Sequence, residues 1–434
     1  MNKQILRLAI PFIISNITVP LVSSVDTALM GHLGSTAHLG AIGLGSAIFN
    51  FLYWNFAFIR MSTVGMTAQE YGAGNDKEMG LLLGRSLWVA LLGAFLLVIF
   101  RNQISHLSFL ISKGDPDVEE YAMSYFRIRI FAAPATVGLY ALTGWFIGLQ
   151  NAKAPMFIAI LVNVVNLGLN FLFVAGMGMK SEGVAYGTLI AQYSGLLLGI
   201  FIILKKYKKF LKFIQPKVLL DFTGYGRFFR VNIDVFIRTF AVISVLTWYN
   251  FASAEKGTLL LGVNVIFLQL VYAFSYFSDG FANASEALVG KYVGQKDLSK
   301  LQRVIKYIFG WGFGIALVFT LLYAFAWRPI MRIYTSDNQV VLEAVNYIGW
   351  IIAIPLVSII TFVWDGIYLG ATATAEQRNA TIIAAALFFI IYLFFDNSLN
   401  NHALLLGQLV FFAARGIIQS IYFKPAIINK LLIQ

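Results

Sequence analysis

Cysteine is absent from this chain, which excludes disulfides, thiolate nucleophiles and thiolate metal sites and leaves the redox compartment open. Histidine is almost absent as well: His32, His38, His106 and His402 stand apart near chain connections, and none has metal-ligand spacing. Charge is scarce, at 12% of 434 residues, whereas 59% are hydrophobic and the mean hydropathy is +0.77. A soluble domain carries about 25% charged residues, so water is not the solvent of most of this chain. The alternation of polar and apolar residues that a membrane β-barrel needs is missing too, because the runs here are continuously apolar over about twenty residues. The spans contain no paired histidines, no Ser-Lys dyad, no metal motif and no nucleotide-binding loop. A membrane-embedded enzyme is therefore not expected, nor is a cofactor.

What is present is a succession of about twelve apolar runs, each able to cross a hydrocarbon layer of about 30 Å. They occupy 6–31, 41–70, 81–104, 121–149, 155–175, 184–204, 222–252, 258–290, 301–326, 339–370, 377–396 and 402–424. Lys3 and Arg7 imitate the start of a secretory signal, but the run behind them is too long and holds an acid, so it reads as the first span. The net charge of +12 lies in the connections, which points to membrane topology and away from nucleic acid. With the N-terminus in the cytoplasm, the inner connections carry Lys77, Arg85, Lys153, the tract from Lys205 to Lys217, Lys291, Lys296, Lys300, Arg303, Lys306 and Arg378. The outer ones carry Arg101, Lys113, Lys180, Lys256, Arg328 and Arg332. The positive-inside rule then places both termini in the cytoplasm. The basic tract KKYKKFLKFIQPK falls near mid-chain and suits a linker anchored at anionic lipid heads. The expected organisation is an N-terminal lobe over 1–204, a cytoplasmic linker over 205–221 and a C-terminal lobe over 222–434.

The two halves resemble each other. Gly72-Ala73-Gly74-Asn75 is echoed by Gly294-Gln295-Lys296-Asp297, Thr143-Gly144-Trp145-Phe146-Ile147-Gly148 by Asp365-Gly366-Ile367-Tyr368-Leu369-Gly370, and Pro134 by Pro355. An even number of spans per half makes the repeats parallel, so the expectation is an all-α protein of two pseudo-symmetric six-helix lobes facing a central cleft.

Ionisable residues inside spans are the functional candidates. Asp26 has Val22, Ser23, Leu29 and Met30 as its helical neighbours, so no base on its own helix neutralises it. An acid so placed favours its neutral form, which suits a proton carrier. Pro11 and Pro20 each remove a backbone donor from the same helix and make it bendable. Asn163, Asn166 and Asn170 in span five and Thr188 and Gln192 in span six, together with Asp26, could line a small polar chamber; interhelical packing is the competing role. Arg60 in span two suits a structural partner or a cavity-lining charge better than an ion carrier. Asp234 and Arg238 are four residues apart and read as a structural ion pair within one helix. Asp279, Glu286 and Asp365 have no such neighbour and are candidates for binding a cationic substrate or ion, with Tyr368 and the aromatics Tyr272, Phe274, Tyr276, Phe277 and Trp364 available for cation–π contact.

Over nearly its whole length the chain resembles the multidrug and toxic compound extrusion (MATE) transporters, in the DNA-damage-inducible protein F branch. The resemblance rests on Pro11 with Val25-Asp26-Thr27-Ala28 and Gly31-His32-Leu33-Gly34; on Arg60-Met61 through Thr67-Ala68-Gln69; on Asn232-Ile233-Asp234 with Arg238-Thr239; on Ser278-Asp279-Gly280-Phe281 with Glu286-Ala287; and on Trp364-Asp365-Gly366 through Gly370-Ala371-Thr372. It implies a monomeric, twelve-helix, two-lobed antiporter that expels organic cations or other amphipathic small molecules against an inward flow of H⁺ or Na⁺. The family's titrating acid and its cation chamber fall on Asp26, Asn166, Asn170 and Thr188, and its bending first helix on Pro11. Where the family has a second aspartate this chain has Asn170, which removes a charge and favours H⁺ over Na⁺ at Asp26. Asp365 matches an acid used for cation binding in another branch. A flippase of lipid-linked precursors or polysaccharides from the same superfamily would share the lobes, with a more cationic cavity for pyrophosphate.

Overall fold

The structure is a computed structural model. It describes the backbone of residues 1–31, 36–112, 116–215 and 225–433, and side chains other than those of 19–36, 39, 111–115, 216–224 and 433–434. The side chains of Pro20, Asp26 and His32 and residues 216–221 of the expected linker, Lys217 among them, thus lie outside the described residues.

Among the described residues all regular structure is helical. The first helix, α1, runs Asn2–Gly31 without a break at Pro11 or Pro20. Besides α1, eleven helices among the described residues are long and apolar enough to cross a membrane. These are α2 (Gly40–Ala73), α3 (Asp76–Ile99), α4 (Pro116–Gly148), α5 (Lys153–Gly176), α6 (Ser181–Lys206), α7 (Gly226–Glu255), α8 (Thr258–Gly294), α9 (Leu298–Tyr334), α10 (Ile348–Gly370), α11 (Thr374–Leu399) and α12 (Asn401–Leu432). The protein is an all-α polytopic membrane protein. Two of the expected runs are divided: a turn at Asn55 and Phe56 interrupts α2, and a short helix, Asn338–Ala344, precedes α10.

The internal repeat is written into the helix ends and contacts. Gly74 and Lys296, with φ of 73° and 54°, close α2 and α8. Asn75 and Asp297 follow and cap α3 and α9 by accepting from the backbone N–H of Glu78 (3.2 Å) and Lys300 (2.9 Å). Gln150 and Thr372, with φ of 61° and 52°, follow α4 and α10. A Cβ on Gly144 would meet the Arg60 carbonyl oxygen at 2.6 Å, and one on Gly366 the Ala282 carbonyl oxygen at 2.1 Å. Gly148 and Gly370 press in the same way on Ala68 N and Gly290 N, each at 3.0 Å. In each pair the residue numbers differ by 222 (296 minus 74, 297 minus 75, 372 minus 150, 366 minus 144, 370 minus 148). The shared Gly-x-x-x-Gly spacing is therefore a close helix contact, α4 on α2 and α10 on α8, the packing that apolar surroundings favour because small residues let backbones approach. Gly366→Ala should lower stability by about 1–3 kcal/mol, because the obstacle is backbone and cannot swing aside; thermal unfolding in detergent will show it.

The chain forms two compact units, Ile14–Gly226 and Met1–Ile13 with Arg227–Gln434. The first half of α1 thus belongs with the C-terminal unit, whereas the sequence suggested that all of α1 belongs to the N-terminal lobe. The cause is local packing. Gly280 on α8 has no side chain where Ile13 Cγ1 and the Ala9 carbonyl oxygen lie 2.4 and 3.1 Å from its would-be Cβ. Tyr292 donates to Gln4 Oε1 at 3.1 Å and Trp311 to Asn2 Oδ1 at 3.2 Å. Pro11 stands two residues before the point where α1 passes from one unit to the other.

Candidate functional site

In the N-terminal unit the polar residues of α5 and α6 form a hydrogen-bonded string. Asn170 Nδ2 donates to Asn166 Oδ1 (3.3 Å), Asn166 Nδ2 to Thr188 Oγ1 (3.1 Å), and the Thr188 hydroxyl to the Val184 carbonyl (2.9 Å). Asn166 and Asn170 are buried, and their i, i+4 spacing puts them on one face of α5. Gly187 makes the room: a Cβ there would lie 2.1 Å from Asn170 Oδ1. Directly after Asn170, at Phe171–Gly176, the helix widens to π geometry, a distortion that recurs at functional sites. Asn163 Nδ2 donates to Thr18 Oγ1 at 2.8 Å and so fixes the register of α1 against α5. Three of the four residues proposed for the chamber, Asn166, Asn170 and Thr188, are thus joined by hydrogen bonds, while the carboxylate of Asp26 lies outside the described residues.

The C-terminal unit holds a buried ionic cage. Asp365 Oδ2 accepts from Arg238 Nη2 and Arg415 Nη2, both at 2.5 Å, and Oδ1 accepts from Gln377 Nε2 and Gln419 Nε2, both at 3.0 Å. Asp365, Arg415, Gln377 and Gln419 are 6% exposed or less. Five side chains from α7, α10, α11 and α12 thereby share one carboxylate, whose lone pairs are well satisfied.

This geometry corrects three expectations. Asp234 does not pair with Arg238 on its own helix: it accepts from Arg378 Nη1 at 2.5 Å and from Thr374 Oγ1 at 2.9 Å, while Arg238 goes to Asp365. Asp234 meets the first turn of α11, where free N–H groups and the helix dipole favour an anion, and Arg238, one turn further on, faces α10. A double-mutant cycle between Asp234→Asn and Arg378→Gln should give a coupling of about 1–3 kcal/mol, and the cycle between Asp234→Asn and Arg238→Gln almost none. Asp365 is not an open acid awaiting a cation, since four side chains already occupy it. Tyr368 is fully buried and donates its hydroxyl to the Gln419 carbonyl at 2.6 Å, so it staples α10 to α12 and presents no face to a ligand. Of the remaining acids, Glu286 is buried on α8 and Asp279 is partly buried two turns earlier. Sequence reasoning overlooked Gln377 and Gln419 as cage members and took Arg378 for topology alone. The overlooked signal was a pair of glutamines set in apolar spans, Gln419 being i+4 from Arg415.

The MatE family model matches the chain twice, at 11–172 and 236–395, one match in each half. DNA damage-inducible protein F of Escherichia coli strain K12 is 35% identical over 418 residues, covering 96% of this chain and 90% of that protein. Human multidrug and toxin extrusion protein 1 is 26% identical, over 82% of this chain and 61% of its own length. A crystal structure of a MATE protein in complex with MaL6 shares the fold, with a TM-score of 0.88 at 18% identity, covering 100% of this chain and 97% of that one. The family model matches once in each half, as the internal repeat requires, and the bacterial relative matches over nearly the whole chain: the chain belongs to the MatE family of membrane transporters, in the branch of DNA damage-inducible protein F.

Proposed function

We propose that this protein is a secondary active antiporter of a bacterial inner membrane, monomeric and with both termini cytoplasmic, which exports organic cations or other amphipathic compounds by alternating access as protons flow in. The observation that carries the proposal is the hydrogen-bonded Asn170–Asn166–Thr188 string on α5 and α6. Its members are uncharged, so the ionisable group of the chamber that the family resemblance implies is Asp26. One carboxylate with amide and hydroxyl partners suits a proton, whereas a hard cation such as Na⁺ is held better by two. The caged state of Asp365 supports the same division, because a carboxylate shared by two guanidinium groups has little to offer a second cation. The relatives' names support the cargo class: one is called a multidrug and toxin extrusion protein. Pro11, beside the crossing point of α1, supports a bend that links proton uptake to substrate release.

Efflux of a fluorescent organic cation from vesicles tests it. Export should follow an imposed pH gradient and ignore an Na⁺ gradient at constant pH; export driven by Na⁺ alone would refute proton coupling. One observation favours a second reading, a flippase for lipid-linked precursors: two guanidinium groups meet one carboxylate in the C-terminal cage, a polarity that suits phosphate. That reading requires translocation of a lipid-linked pyrophosphate in the same vesicles, with no dye export under either gradient.

A further inference from the structure

A groove of 570 Å³ lies on the outer face of the N-terminal unit between α5 and α6, lined by Phe157, Ile160, Leu161, Val164, Leu198, Phe201 and Ile202 and ending at Lys205 and Lys206. The two helices that line it pack tightly: a Cβ at Gly195 on α6 would stand 2.4 Å from Val162 Cγ2 on α5. Phe157, Val164 and Phe201 are exposed by 54%, 63% and 57%, which in a membrane-spanning helix means exposure to lipid. The basic end is broader than two lysines. The helices are antiparallel, so Lys153 at the start of α5 shares the level of Lys205 and Lys206, and a hydrogen bond of 2.9 Å from Asn151 Nδ2 to the Tyr207 hydroxyl ties the two ends together. Among the described residues no carboxylate pairs with Lys153, Lys205 or Lys206, in contrast to Lys209, which is held by Asp76 at 2.7 Å.

We propose that this groove is a binding site for one anionic phospholipid of the leaflet at the basic end. The phosphodiester sits on Lys205 and Lys206, with Lys153 beside them. One acyl chain runs down the groove past Phe201, Leu198 and Val164. From Lys206 to Leu198 the helix rises about 12 Å, a length that takes roughly the first nine methylenes of an extended chain. Chemistry decides the occupant: a cationic rim on an apolar trough wants a ligand with a negative head and a long hydrocarbon tail. A free phosphate would gain nothing from the trough, and a neutral lipid nothing from the lysines. The proposal differs from diffuse attraction of the whole basic tract to the membrane, because it singles out Lys205 and Lys206 from their neighbours Lys208 and Lys212, which do not line the groove.

Native mass spectrometry of the full chain in detergent, titrated with phosphatidylglycerol or phosphatidylcholine of the same acyl chains, tests this. Two surface lysines are worth about thirtyfold in affinity. Wild-type protein should therefore hold phosphatidylglycerol about thirtyfold more tightly than phosphatidylcholine, and the double change Lys205→Gln, Lys206→Gln should remove that preference. Lys208→Gln with Lys212→Gln should leave it within about twofold. Val164→Trp keeps every charge and fills the trough; the site is lipid-exposed, so folding is retained, and affinity for phosphatidylglycerol should fall at least tenfold. Equal losses from the two lysine pairs, no effect of Val164→Trp, or equal retention of the two lipids would each overturn the site.

Discussion

Asp26→Asn is expected to abolish export driven by a pH gradient while leaving the protein folded and inserted. Asparagine has the shape of the protonated acid and cannot release a proton, so the variant holds permanently one of the two states that the cycle must alternate between. In the proposed cycle Asp26 takes a proton from outside, loses its charge and its need of polar partners, and lets α1 bend near Pro11 or Pro20; the bend weakens substrate binding, and the proton leaves to the cytoplasm. A substrate weakened by protonation must in turn weaken protonation by the same factor, since binding linkage is reciprocal. Transport by purified Asp26→Asn in vesicles decides the matter. Export at the parent rate would mean that Asp26 is not the carrier and would move attention to Asp279 and Glu286. The companion change, Asn170→Asp, should raise the sensitivity of export to Na⁺ by adding a second carboxylate to the proposed chamber.

The second large effect belongs to Asp365. Asp365→Ala leaves the guanidinium groups of Arg238 and Arg415 in a buried site without the carboxylate they share, and breaking a buried ion pair from one side costs about 3–5 kcal/mol. That is a large part of the total stability of a folded chain, about 5–15 kcal/mol, so a marked fall in unfolding temperature and in yield is expected. The chain carrying Asp365→Leu, Arg238→Met and Arg415→Met together should recover most of the loss, because an apolar core of similar volume costs less than a stranded charge. If Asp365→Ala melts at the parent temperature, the cage is not structural. Gradient-driven export by the triple variant at near-parent rate would confirm that the cage holds α7, α10, α11 and α12 together and that the ion is carried elsewhere.

The two halves of the duplicated scaffold differ in their buried polar clusters. At the offset of 222 residues Asp365 corresponds to Thr143, whose hydroxyl donates to the Leu139 carbonyl of its own helix at 2.7 Å. The N-terminal half therefore lacks the acid on which the C-terminal cage is built, and places its polar string on α5 and α6 instead. The retained features are those that two helices need in order to touch, the glycine pairs and the caps, whereas each half has built its own polar cluster.

The sequence by itself determined the solvent of this chain, its helices and its repeat. Runs of about twenty predominantly apolar residues cross lipid as helices because each backbone polar group is then satisfied within the segment, and the repeated Gly144-x-x-x-Gly148 and Gly366-x-x-x-Gly370 mark faces on which small residues let backbones approach. It also brought Asn166 and Asn170 to one face of a helix, since that follows from 3.6 residues per turn. Tertiary structure alone decided the partners. Helical periodicity says which residues share a face but not which helix lies across from it, so Arg238 looked bound to Asp234 until α10 and α11 offered each a better partner. Tyr368 could have faced a ligand until α12 covered it, and the first half of α1 could have stayed with its own lobe until Gly280 opened a seat on α8. A buried carboxylate collects every donor within reach, and in a bundle of long helices most of those donors are far away in sequence.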